Sequence, residues 1–124
     1  MEKNYAKEQA KNQLDSIIEM TTRLTSRSDT ISDRAREEIQ EDALEVGTRK
    51  DYNGTRGYMI LLCTGGPAVR IEGDLNEYDE PETAELQYQD WGTPWTKYYT
   101  ENANEDKALL LYASQFYFGK EGEE

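Results

Sequence analysis

Eight carboxylates lie in residues 71–96, a stretch that contains no lysine or arginine. They are Glu72, Asp74, Glu77, Asp79, Glu80, Glu82, Glu85 and Asp90. On an extended strand, Glu72 and Asp74 point to the same face about 7 Å apart, close to the spacing of successive phosphates along a nucleic acid strand. Carboxylates with this spacing can occupy a cleft of lysines and arginines that holds a phosphate backbone. The stretch therefore predicts a surface that binds a basic partner.

The charge of the whole chain is concentrated in the same region. The 124 residues carry 26 acids and 14 bases, for a net charge of −12. The first 56 residues hold 12 acids and 10 bases, whereas the remaining residues hold 14 acids and 4 bases. Solubility alone is the competing explanation, because acidic surfaces keep proteins dispersed. A surface that serves only solubility intersperses bases among its acids, and residues 71–96 do not.

Most catalytic chemistry is excluded by residue types that are missing or single. The chain has no histidine, which excludes His-dependent triads, imidazole proton shuttles and histidine zinc sites. Cys63 is the only cysteine, so an intramolecular disulfide and a thiolate metal cluster are impossible. A metal cluster of Asp74, Asp79 and Glu80, or a pair of catalytic carboxylates, is an open alternative. We expect no catalytic residue, no metal and no cofactor, and hence a protein that is not an enzyme.

Aromatic residues follow the acidic stretch. Trp91, Trp95, Tyr98 and Tyr99 lie within nine residues of one another. Exposed aromatic side chains beside carboxylates would anchor a partner while the charges steer its approach. A corner of the core that seals the sheet edge is the alternative, for the two tryptophans and for the two tyrosines. The predicted partner-binding residues are Glu72, Asp74, Glu77, Asp79, Glu80, Glu82, Tyr98 and Tyr99.

Two helices precede this surface in the chain. The first is predicted by apolar residues at helical spacing, namely Ala6, Ala10, Leu14, Ile17 or Ile18, and Leu24. The second is expected to begin after an N-cap at Ser32 and to continue through about Val46, with Gly47 as its stop. Its predicted inner face consists of Ala35, Ile39, Ala43 and Val46.

The pattern then becomes extended. Residues 58–63 are apolar on both faces, as in a strand covered on both sides, and Cys63 is expected to be buried there. A turn at residues 64–67 leads into an alternating strand over residues 69–75. Residues 84–91 alternate in the same way, and a short fourth strand is expected through Tyr99. These segments predict an antiparallel meander of three or four strands.

A last helix is predicted over residues 106–118, after a capping-box sequence at residues 102–105 and before a stop at Gly119. The fold class that follows is α+β, with two N-terminal helices, the antiparallel meander and a C-terminal helix packed on the sheet. Residues 1–119 are expected to form a single domain, and residues 120–124 a flexible acidic tail.

No targeting segment is expected from the sequence. Its N-terminus lacks the pattern of a signal peptide, and no run approaches the roughly 18 apolar residues that a membrane span needs. The expected location is the cytoplasm of a bacterial host cell. A net charge of −12 repels nucleic acid phosphates and anionic lipid, so neither is expected to bind directly. The oligomeric state is left open between monomer and homodimer.

Two segments carry a resemblance to other proteins. Residues 60–71, ILLCTGGPAVRI, and residues 88–95, YQDWGTPW, resemble a family of small proteins carried by bacteria, phages and mobile elements. Residues 42–46 and 116–119 match this family as well. In size and acidity the chain is also similar to phage anti-CRISPR proteins, which bind a CRISPR effector and block its DNA site. The second likeness implies an inhibitor that imitates DNA.

Two hypotheses of function follow. The leading one is an anti-CRISPR-type inhibitor that binds a CRISPR effector nuclease complex through its acidic surface and blocks nucleic-acid binding. The alternative is a non-enzymatic structural or regulatory module that dimerises or docks on a host protein. This module would use the apolar stripe of the first helix, formed by Leu14, Ile17, Ile18 and Leu24.

Overall fold

The computed structural model describes residues 4–118. Its elements in chain order are α1 (Tyr5–Leu24), α2 (Asp29–Asp42), β1 (Glu45–Lys50), β2 (Arg56–Cys63), β3 (Ala68–Asp74), β4 (Glu85–Gln89), β5 (Thr96–Lys97) and α3 (Ala103–Ala113). The five strands form one antiparallel sheet in the order β1-β2-β3-β4-β5. The predicted α+β class is confirmed, although the meander has five strands.

The helices α1 and α3 pack on one face of this sheet. The shared core contains Tyr58, Ile60, Leu62, Val69, Ile71 and Leu86 from the strands, Leu14 and Ile17 from α1, and Leu109 and Tyr112 from α3. Burial alternates along β2, where these inward residues are separated by the half-buried Met59, Leu61 and Cys63. Such alternation shows a sheet with one covered face. The prediction that residues 58–63 are covered on both sides, with a buried Cys63, is therefore wrong.

The apolar stripe of α1 is used inside the molecule. Leu14 and Ile17 are fully buried in the core, and Ile18 and Leu24 pack against it. This stripe is therefore not a surface on which another protein could dock. Among residues 4–118, no helix combines the length and apolar character that crossing a membrane requires.

The second helix begins and ends four residues earlier than predicted. Ser28, and not Ser32, is its N-cap, and the Ser28 hydroxyl oxygen accepts a hydrogen bond of 3.3 Å from the backbone N–H of Ile31. The helix ends at Asp42, so Val46 and Gly47 belong to β1. This strand forms because a tight turn at residues 51–55 folds it back onto β2. The positive φ of 90° at Gly54 allows that turn.

The third helix is shorter than predicted. It spans Ala103–Ala113, and its N-cap Asn102 accepts a hydrogen bond of 3.0 Å from the N–H of Glu105, as the capping-box sequence indicates. Residues 114–118 turn back over the core instead of continuing the helix. Phe118 then packs on Tyr58, with ring centroids 4.8 Å apart. The predicted helix stop at Gly119 and the acidic tail at residues 120–124 lie outside the described residues.

Candidate partner-binding surface

The carboxylates of the strands lie on the open face of the sheet, where cations of the same sheet lie within 4 Å of them. Glu72 on β3 lies 3.4 Å from Arg70 and 3.9 Å from Arg49, measured between nitrogen and oxygen. Asp74 lies 3.7 Å from the same Arg49. On β4, Glu85 lies 3.9 Å from Lys97 of β5. The shared face predicted for Glu72 and Asp74 is confirmed, but both carboxylates have cationic partners.

A glycine allows Arg49 to reach these carboxylates from two strands away. Arg49 is opposite Gly57 on β2, and Gly57 is opposite Asp74 on β3. The Arg49 guanidinium occupies the space where a side chain of Gly57 would lie, so any Cβ there would overlap it. Because residue 57 has no side chain, a cation of β1 crosses β2 and neutralises acids on β3.

Arg70 organises the middle of the open face. Its Nε donates a hydrogen bond of 2.7 Å to the side-chain oxygen of Gln87, and Gln87 in turn donates one of 2.7 Å to Glu85. The guanidinium also stacks on Trp95, 4.1 Å from the ring centroid. Trp95 is consequently half-buried on this face and is not part of the core corner. The Arg70 guanidinium thus connects two carboxylates, an amide and an indole ring in one network of contacts.

The acidic loop, residues 76–82, connects β3 to β4 and has a fixed backbone. The Asn76 side-chain oxygen accepts hydrogen bonds from the N–H groups of Tyr78 at 2.8 Å and Glu80 at 3.0 Å. Asp79 adopts a left-handed conformation with φ of 63°, which an aspartate tolerates better than most residues. Its carboxylate forms an ion pair with Arg56 of β2. The loop is therefore stabilised by hydrogen bonds within it and by an ion pair with β2.

Two contacts attach the end of the acidic loop to the sheet. The buried hydroxyl of Tyr58 donates a hydrogen bond of 2.6 Å to the carbonyl oxygen of Thr83. Gly73 makes room for this approach, because a Cβ at residue 73 would overlap the Thr83 carbonyl and lie 2.9 Å from the Tyr58 ring. The Thr83 hydroxyl oxygen also accepts a hydrogen bond of 2.9 Å from the N–H of Asp74. Tyr58 burial raises the pKa of its hydroxyl, which keeps this donor protonated.

The uncompensated negative charge collects on the acidic loop. Glu77, Glu80 and Glu82 are exposed, and within residues 4–118 none of them has a cation within 4 Å. The side chain of Tyr78 stands among them with 72% of its surface exposed. Asp90 is the fourth unpaired acid of the eight, and it accepts a hydrogen bond of 2.8 Å from the N–H of Trp91 in the next turn. Half of the carboxylates that look unopposed in sequence are thus neutralised in space.

The two tyrosines predicted at this surface line the same cleft but differ in exposure. Tyr98 is only 9% exposed and belongs to the core, where burial raises the pKa of its hydroxyl. Its assignment to the partner-binding surface is therefore corrected. Tyr99 is 74% exposed and shares a cleft of about 460 Å³ with Glu72, Asp74 and Glu85, while the ammonium of Lys97 lies 5.1 Å from its ring centroid.

The four cations on this surface are the functional residues that sequence reasoning missed. They are Arg49, Arg56, Arg70 and Lys97. The signal that locates the first two is the turn sequence Asp-Tyr-Asn-Gly at residues 51–54, which is typical of a hairpin and places a strand on each side. The proximity of Arg70 to Glu72 and of Lys97 to Glu85 can be recognised only when the strand pairing is known.

The residues that the structure describes form no metal-binding cluster. Within the described residues, no three acidic or cysteine side chains converge closely enough to hold a metal ion. The cluster of Asp74, Asp79 and Glu80 considered from the sequence does not form, because Asp74 faces Arg49 and Asp79 faces Arg56. Comparison of the chain with protein-family models, with curated proteins and with solved structures found no match.

Proposed function

We propose that this protein is an anti-CRISPR-type inhibitor that binds the basic nucleic-acid-binding surface of a CRISPR effector nuclease complex through its acidic loop. The observation that supports the proposal is a group of exposed carboxylates that have no cation within 4 Å among residues 4–118. They are Glu77, Glu80 and Glu82, on a loop of fixed backbone. A partner rich in lysine and arginine would supply the missing cations. While it is bound to this protein, that partner could not bind nucleic acid.

The rigidity of the acidic loop favours binding because little conformational entropy is lost on association. The Asn76 hydrogen bonds and the ion pair of Asp79 with Arg56 fix the loop before any partner arrives. The exposed ring of Tyr78 adds apolar area at low entropic cost, as aromatic anchors do at interfaces. The surrounding charges would accelerate the encounter with a basic partner.

The strand carboxylates have a lesser part in this proposal than the sequence indicates. Glu72 and Asp74 share the cation of Arg49, so a partner would have to displace Arg49 before using them. Tyr99 lies in the same cleft and extends the surface without adding charge. The centre of the proposed interface is accordingly the acidic loop, with the open face of the sheet beside it.

The test is DNA cleavage by a panel of purified CRISPR effectors, each loaded with guide RNA and titrated with this protein. We expect stoichiometric loss of cleavage and of target DNA binding for at least one effector. The double variant Glu80→Lys/Glu82→Lys should abolish that inhibition. The matched control is Glu37→Lys/Glu41→Lys, which makes the same charge change on the exposed face of α2 and should leave inhibition intact.

Two results would contradict the proposal at different levels. If every effector stays active at saturating protein, the function is wrong. If one effector is inhibited but the loop and α2 double variants lose inhibition equally, the function stands and the acidic loop is not the site. Asp79 is left unchanged in these variants because its ion pair and backbone conformation hold the loop.

A further inference from the structure

A groove of about 690 Å³ lies between the acidic loop and α3. Leu110 and Leu111, both half-buried, line its helix side, while Pro81 and the exposed ring of Tyr78 line its loop side. The segment after α3 contributes aromatic side chains, of which Tyr117 is 72% exposed. The lining is therefore mostly apolar, and the volume is in the range of ligand-binding clefts in proteins.

Charge is distributed unevenly around this groove. Glu80 lines the loop side, and Glu77 and Glu82 belong to the same loop. All three are exposed and have no cation within 4 Å among residues 4–118. On the helix side, the groove is lined by the cation of Lys107. A ligand that contacts both sides would thus place its positive charge over the acidic loop and its apolar part against α3.

The unpaired carboxylates discriminate between the candidate occupants of the groove. Two copies of this chain that faced each other here would bring together two acidic loops of a protein of net charge −12, which is repulsive. The residues that follow Phe118, Gly-Lys-Glu-Gly-Glu-Glu, have three acids against one base and no apolar side chain for the groove. A basic segment of another protein fits best, because its cations complement the acidic loop.

We propose that the groove receives one apolar side chain from a basic protein segment, while lysines or arginines on either side of that side chain pair with the acidic loop. The inference rests on the proposed function and adds the chemistry of the partner, a basic segment with an apolar anchor. Charge alone steers the encounter, whereas an apolar anchor in a preformed groove supplies affinity and specificity.

The experiment is fluorescence anisotropy with two labelled lysine heptapeptides that differ only at the central residue, which is leucine in one and serine in the other. We expect the leucine peptide to bind about tenfold more tightly, because its side chain leaves water for the groove. Leu111→Gln should remove this preference and leave binding of the serine peptide unchanged. Tyr78→Ser should reduce the preference as well, and its exposed position keeps the fold intact. Glu80→Lys/Glu82→Lys should weaken binding of both peptides.

The matched control is Ile31→Gln, the same kind of change at an exposed apolar residue of α2, which should leave both affinities unchanged. Equal binding of the two peptides, or no binding of either, would overturn the proposal. So would a preference that Leu111→Gln and Tyr78→Ser leave intact, or a wild-type dimer that either variant dissociates, because a second copy would then occupy the groove. A panel of effectors that all stay active would contradict the proposed function instead and would leave the peptide preference standing.

Discussion

The strand carboxylates and the loop carboxylates come from one stretch of sequence and have opposite electrostatic environments. Glu72, Asp74 and Glu85 lie on the open face of the sheet, each within 4 Å of a cation that belongs to the same sheet. Glu77 and Glu82 in the acidic loop have no such partner among the described residues. Composition treats these acids as equivalent. Strand pairing separates them into a neutralised group and a group available to a partner.

The two environments differ because a strand has more neighbouring segments than a loop, and those segments supply the cations. A strand in a sheet has neighbours at about 4.8 Å on both sides, so long cationic side chains from other parts of the sequence reach it. Arg49 does so across Gly57. A loop that projects from the sheet has fewer neighbours, and among the described residues only Arg56 forms an ion pair with it, at Asp79. The electrostatic field of this protein is therefore set by topology as much as by net charge.

The largest expected effect on stability comes from adding a side chain at Gly73, where β3 contacts the end of the acidic loop. In Gly73→Ala the new Cβ would overlap the Thr83 carbonyl and approach the Tyr58 ring, so one of them must move. Overpacking of this kind costs roughly 1–3 kcal/mol in the free energy of unfolding. Urea unfolding measures it, with Gly66→Ala as the control, since a Cβ at residue 66 meets only Trp91 at 3.9 Å. Equal stability of the two variants would show that Gly73 does not hold the loop against the strand.

The next effect comes from the hydrogen bond that attaches the loop to β2. Tyr58→Phe removes the donor to the Thr83 carbonyl and leaves that oxygen without its partner, at a cost of about 1–2 kcal/mol. Crystallographic B-factors or amide exchange of residues 76–83 should rise with it. Unchanged exchange in this loop, together with unchanged stability, would contradict an attachment through Tyr58.

The same tyrosine predicts a dependence of stability on alkaline pH. Burial, and then the charge of Asp74, raise the pKa of Tyr58 in the folded state above its ordinary value of about 10. Folded stability is therefore fully present below pH 10 and falls as the pH rises from there toward the folded pKa, because only the unfolded chain ionises. In Tyr58→Phe this fall should be shallower by up to about 1.4 kcal/mol per pH unit. Parallel curves for the two proteins would show that the hydroxyl ionises equally in both states.

Local patterns predicted much of this fold but not the cations at its surface. The first helix, the turn at residues 64–67 and the alternation along β4 follow from periodicity within a few residues, and the structure confirms them. β1 was missed because Val46 continues the helical spacing of Ala35 and Ile39, although tertiary pairing with β2 outweighs that spacing. The ion pairs of Glu72 and Asp74 depend on registry across three strands, which no local pattern contains.

The smallest expected effect compares single carboxylates from the two groups directly. Glu72→Gln keeps the shape of the side chain but removes its ion pairs with Arg70 and Arg49, which should lower the free energy of unfolding by about 0.2–1 kcal/mol. Glu82→Gln removes a charge that has no cation within 4 Å in the described part of the chain and that has Glu80 two residues away. Stability should therefore stay the same or rise by a few tenths of a kcal/mol.

Urea unfolding of both variants at low and at high ionic strength measures this contrast. Salt screens charges with a Debye length of about 10 Å at 0.1 M and 3 Å at 1 M, so the difference between the variants should shrink as salt is added. Equal losses from Glu72→Gln and Glu82→Gln at low salt would mean that the loop carboxylate is neutralised as well. The acidic loop would then have no more charge to offer a basic partner than the open face of the sheet.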